Sequence, residues 1–177
     1  MTISLHEATV PTFLQHLHAL DDIAAKAEAF CAEGKAAEAD LLDRRIAPDM
    51  APLTTQLKWA RTHSLGALVG VRAGKFGPDM SDPPATLAAH RANLAEAIAA
   101  IEALDPAEID ALAGGDVVFS IPAPMNVNLT FTVPNFLFSF ALPNFFFHVT
   151  TAYDLLRAAG LEIGKRDYLG ALTQKAP

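Results

Sequence analysis

The 177-residue chain is 51% hydrophobic and 19% charged, enough apolar material for one sizeable core and far from the disordered range. Its 13 basic and 20 acidic side chains give a formal net charge of -7, which argues against nucleic-acid binding, since that rests on Lys and Arg neutralising phosphates. The single cysteine, Cys31, excludes an intrachain disulfide and a Cys-rich zinc site, and fits a reducing cytoplasm.

The opening stretch has no basic n-region and no unbroken apolar run, so no signal peptide is expected. Instead the spacing predicts a helix from Ser4 to about Glu33. Ser4 and Glu7 have capping-box spacing, and Val10, Phe13, Leu17, Leu20, Ala24 and Ala27 fall on one face. Pro11 should kink this helix or delay its start, and Gly34 should end it. His6, His16 and His18 are expected on its solvated side. After a connection over Ala36–Arg45, a second helix starts near Asp49, with Met50, Leu53, Leu57, Ala60, Ala67, Leu68 and Val71 as its apolar stripe. The glycine- and proline-rich VRAGKFGPDMSDPP reads as a loop. A third helix covers about Thr86 to Leu104, with His90 packed at its border. DPAEIDAL is a short capped turn of helix.

DVVFSI and NVNLTFT read as two strands joined by PAPM in a hairpin. Pro134 suits the first turn of a last helix that runs to about Ala159, kinks at Pro143 and is capped by Gly160. LEIGKRDYLGAL is a tail expected to fold back, with Asp154 pairing Lys165 or Arg166. The whole chain, residues 1–177, reads as one mainly α domain: a four-helix bundle with a small β-hairpin before the last helix.

No HExxH, HxxxH or Glu-x-x-His spacing occurs among the six histidines. There is no nucleophile elbow, phosphate loop or dinucleotide fingerprint either. The polar residues most able to form a site are Gln56 and His63 on the second helix and Asn144 and His148 on the last. Gln56 and His63 share a stripe seven residues apart; Asn144 and His148 share a face four apart. If these two helices are neighbours, the four groups converge. They then either form a hydrogen-bonded network in a partly polar core or hold a divalent metal on His148, Asn144 and His63.

Residues Val117 to Phe147 contain no charged side chain, and eight of the eleven phenylalanines lie in that stretch. Prolines and asparagines interrupt it too often for a membrane span. On a regular helix Phe136, Phe140 and Phe147 align, while Phe138, Phe145 and Phe146 spread around the circumference. A helix apolar nearly all round is buried on more than one side, so a homodimer is expected.

VPTFLQHL (Val10–Leu17), RRIAPDMAPLTTQ (Arg44–Gln56), LPNFFFHVTTAYDLLRAAG (Leu142–Gly160) and IGKRDYLG (Ile163–Gly170) together resemble a bacterial domain of unknown function in the DinB/YfiT-like superfamily of metal-dependent four-helix proteins. The resemblance runs along nearly the whole chain. It implies an up-down four-helix bundle. In the wider superfamily it implies a divalent metal on three histidines, one from the second helix and two from an HxxxH pair on the fourth. Some members use that site to transfer or hydrolyse thiol adducts. Here Asn144 and His148 stand where the HxxxH pair would be, so one ligand, His148, carries over.

Three functions follow as expectations. The first is a dimeric, cytoplasmic, non-catalytic binding or regulatory module with a degenerate metal site and no cofactor. The second is a hydrolase or thiol transferase that uses zinc, nickel or manganese at His148 and His63. The third is a metal-free binder of a small apolar ligand.

Overall fold

The computed structural model describes residues 3–174. Helix α1 runs unbroken over Leu5–Ala32. Its start is the predicted capping box: Ser4 Oγ accepts from the Glu7 N–H, and the Glu7 carboxylate accepts from the Ser4 N–H. Pro11 lies inside the helix without delaying it. An interior proline costs about 3 kcal/mol, and the burial of Val10, Phe13, Leu17, Leu20 and Ile23 along the same helix outweighs that.

The short α2 (Glu38–Leu42) lies within the predicted connection. The second rod starts later than expected. Pro52 is the N-cap of α3 (Leu53–Arg61), so Met50 sits in a turn ahead of the helix rather than in its stripe. A π turn over Thr62–Gly66 then leads into α4 (Ala67–Ala73). The third rod is α5 (Leu87–Glu102), with Thr86 as its cap, followed by α6 (Pro106–Ala111). In the last rod, α7 (Val133–Phe136) passes through a second π turn, Leu137–Ala141, into α8 (Leu142–Ala158). That turn immediately precedes Pro143. Proline has no N–H to give the carbonyl four residues back, and the residues just before it take a π turn.

In the bundle α1 lies against α5 and α8, while α3 lies against α8 and α5. The sequence pattern gives these faces, and the side chains on them, from Phe13 and Leu17 to Leu94, Phe145 and Leu156, form one core. Among the described residues no helix is long and apolar enough to cross a membrane.

The β element is larger than a hairpin. Strands β2 (Asp116–Ile121) and β3 (Val127–Thr132) pair antiparallel, with Phe119 opposite Leu129. A third strand, β1 (Lys75–Phe76), comes from the segment read as loop and pairs parallel with β2, Phe76 against Phe119. Two residues carry too little pattern to announce a strand. Two glycines make β1 possible. Gly74 takes the left-handed conformation that ends α4 (φ +66°). At Gly70 a Cβ would lie 3.0 Å from the Phe76 ring and 3.1 Å from the Lys75 carbonyl, so any larger residue would push α4 and β1 slightly apart.

The tail folds back, though not through Asp154, which is exposed. The short helix α9 (Lys165–Leu169) is tied to α1 by an ion pair between Lys26 and Asp167 and by Gln15 donating to the Leu169 carbonyl at 2.7 Å. This explains a second departure from expectation. His16 is only 7% exposed, because Tyr168, Phe145 and Phe146 pack edge-on around its ring. His18 does reach solvent, and His90 is buried, as expected.

Candidate functional site

Gln56, Trp59 and His63 follow at steps of three and four, so one face of the second rod presents all three. His63 falls within the first π turn. From α8, His148 meets this face. Its Nδ1 lies 2.8 Å from Gln56 Oε1, and its ring stacks on His63, centroids 5.3 Å apart with planes at 26°. Trp59 packs on the same imidazole at 5.1 Å.

The hydrogen-bond order fixes the tautomer. Gln56 Nε2 donates to the Ala51 carbonyl at 3.0 Å, which turns Oε1 toward His148. His148 Nδ1 therefore carries the proton and donates it, leaving Nε2 as the bare nitrogen. Burial pushes the His148 pKa down to about 3, and the neighbouring His63 adds to the effect. Burial alone pushes His63 down to about 4. Both rings are neutral at pH 7. Among the described residues His63 Nδ1 has no hydrogen-bond partner.

Asn144 meets the cluster differently. Its Nδ2 donates to the Phe140 carbonyl at 2.7 Å, inside the second π turn. It shares with His63 the wall of a cavity of about 210 Å³ whose other walls include Trp59, Phe76, Phe119 and Phe140. So of the four residues singled out by spacing, Gln56 and His63 each touch His148, and Asn144 borders the same cavity as His63. The aromatic walls were not legible in the sequence. Phe76 and Phe119 reach His63 and Phe140 only because β1 pairs with β2. Trp59 gave a weak signal, since it lies between Gln56 and His63 on their shared stripe.

One further group shapes the site. Lys58, whose side chain is 9% exposed, donates to the carbonyls of Asp79 (2.9 Å) and Ser81 and pairs with the Asp79 carboxylate at 3.2 Å. It thereby pins the segment Gly77–Pro84 against α3. Burial pushes the Asp79 carboxyl upward, but donation from Ser81 and Lys58 holds it below its usual range.

The family profile of a domain of unknown function, DUF1993, matches residues 5–169. The chain belongs to the DUF1993 family. It is 33% identical to a DinB family member protein from Shewanella denitrificans, whose crystal structure superposes with a TM-score of 0.80 over 98% of this chain and 96% of that chain. This DUF1993 protein is thus a branch of the DinB-like superfamily, with the mainly helical fold that the resemblance implied. The comparison with proteins of curated function gives no match.

The DinB-like superfamily implies a divalent metal, and the donor set at this DUF1993 site does not fit three imidazoles. Two of the four groups are amides, one spent on His148 and one on the Phe140 carbonyl. Among the described residues no group of three or more His, Cys, Asp or Glu is placed to hold a metal ion.

Proposed function

We propose that this protein is a metal-free binding or regulatory module, in which a hydrogen-bonded polar cluster beside an aromatic pocket replaces the superfamily's metal site. The observation that carries this reading is the bond from His148 Nδ1 to Gln56 Oε1, with Gln56 anchored in turn on Ala51. It satisfies buried polar groups within the protein, where a metal site would leave them free for an ion. An amide oxygen in place of the missing histidine is a poor ligand for zinc or nickel. The test is metal content after purification without chelator or nickel resin. Sub-stoichiometric metal is expected. Stoichiometric zinc, nickel or manganese that disappears in His148→Ala would overturn the reading.

A hydrolase or thiol transferase built on a divalent ion at His148 and His63 is the second reading. It draws support from one feature: a fixed Nδ1–H leaves His148 Nε2 unprotonated, as in imidazoles that bind metals. The same measurement decides between the two.

The working unit in the first reading is a homodimer. β3 is an edge strand without a charge or a proline, the devices that usually block edge pairing. Its apolar face is incompletely covered, with Leu129 48% exposed, and Phe138 and Phe147 are 45% and 53% exposed. Antiparallel pairing of β3 with its copy about Leu129 would set Val127 against Phe131 and continue the apolar face.

A further inference from the structure

We propose that the pocket beside His63 takes a small neutral aromatic molecule with a single hydroxyl, of the phenol class. This deepens the binding-module reading and rests on it.

Size comes first. At about 210 Å³ the cavity is smaller than the roughly 300–1,000 Å³ typical of drug-sized sites, so its ligand is little more than one ring system. Shape and chemistry of the walls come next. Trp59, Phe76, Phe119 and Phe140 offer ring faces and edges at varied tilts, a surface that a flat aromatic fits by stacked and edge-on contacts.

The polar atoms then select the substituent. Asn144 spends one of its two amide N–H groups on the Phe140 carbonyl, which leaves Oδ1 as an acceptor and the second N–H as a donor. Thr62 spends its hydroxyl proton on the Lys58 carbonyl at 3.2 Å. Asp79 also lines the cavity, its carboxylate engaged by Ser81 and Lys58, and the neutral His63 ring beside it keeps its Nδ1 buried, without a partner among the described residues. The wall thus offers the Asn144 oxygen as an acceptor and the second Asn144 N–H and the Trp59 indole N–H as donors, so a hydroxyl, which both donates and accepts, suits it.

Charge is disfavoured in both signs. An anion would meet the Asp79 charge and the Asn144 oxygen, and the Lys58 ammonium beside Asp79 is engaged by that carboxylate and two carbonyls. A cation would meet the same desolvation that keeps His63 neutral, and Lys58 already offsets Asp79.

The chain supplies its own reporter, because Trp59 is its only tryptophan and lines the pocket. Titration of the full chain with p-cresol, toluene and benzyltrimethylammonium, followed by the indole N–H resonance of Trp59, tests the proposal. Saturable shifts with p-cresol are expected, at an affinity roughly fivefold or more above that of toluene, as one hydrogen bond supplies. The gap should close in Asn144→Leu or in Asn144→Val, whichever retains the wild-type thermal transition. Equal affinity for toluene and p-cresol, or a preference for the cation, overturns the ligand class while leaving a binding pocket. No saturable shift with any of the three overturns the pocket reading itself.

Discussion

His63 and His148 lie face to face, their ring centroids 5.3 Å apart, with Nδ1 of His148 tied to Gln56. Two stacked imidazoles in an apolar surround do not both take a proton readily, since each charge would be desolvated and would repel the other. The pair is therefore a neutral polar insert in an aromatic wall rather than a charged centre.

Stability should fall as the medium becomes acidic. The ordinary histidine pKa of 6.5 drops to about 3 at His148 and to about 4 at His90, both through burial. Between those folded values and 6.5 the unfolded chain binds more protons than the folded one, so acid favours unfolding. Stability is complete above pH 6.5 and is lost as the pH falls toward 4, at up to about 1.4 kcal/mol per pH unit for each such histidine. Urea midpoints at pH 7 and pH 5 measure it. Identical midpoints would contradict the burial of these rings.

Gln56 should set the chemistry of His148. Gln56→Leu leaves a buried N–H without its acceptor and should cost about 1–3 kcal/mol in urea unfolding. Gln56→Glu places a carboxylate at the same position, which should raise the His148 pKa by roughly one to three pH units. Imidazole proton shifts across a pH titration read the second effect directly. A His148 titration unchanged by the carboxylate would mean that the bond does not persist in solution.

Lys58 should control the segment Gly77–Pro84. Lys58→Met keeps much of the stem but removes the donors to Asp79 and Ser81. Hydrogen bonds to charged groups are each worth about 1.5–3 kcal/mol, so local opening there should become at least roughly tenfold more frequent. Limited proteolysis mapped by mass spectrometry checks this. Unchanged cleavage between residues 77 and 84 would show that other contacts hold the segment.

The mass in solution tests the β3 edge. Light scattering should give two chains per particle, and Leu129→Lys should give one with the fold intact. A dimer that survives Leu129→Lys uses another surface, such as that around Phe138 and Phe147. A wild-type monomer at every concentration removes the dimer altogether.

The bundle was legible because long helices advertise themselves. Ser4 and Glu7, Thr86 and the stripe from Val10 to Ala27 state start and face in local terms. The pairing of Gln56 and His63 with His148 was legible for the same reason, once the two rods were taken as neighbours. What the sequence hid depends on contacts distant along the chain. His16 looked solvated until α9 returned to cover it. Phe76 looked like a loop residue until β2 arrived more than forty residues later to pair with it. Phe147 is exposed rather than aligned with the buried Phe136, because the second π turn adds one residue and shifts every later position by ~100°.

That extra residue has a bearing on descent. An α-helix becomes a π turn by gaining one amino acid, and both rods that supply this cluster have such a turn next to it. Deleting Ser139 should return the last rod to a regular helix and swing His148 away from Gln56 by about a quarter of a circle. A relative with the same cluster is then expected to carry the same extra residue. In related chains laid side by side, a one-position gap within 137–141 would be the expected mark of a lineage in which the histidine has lost its partner, even where the histidine itself is kept.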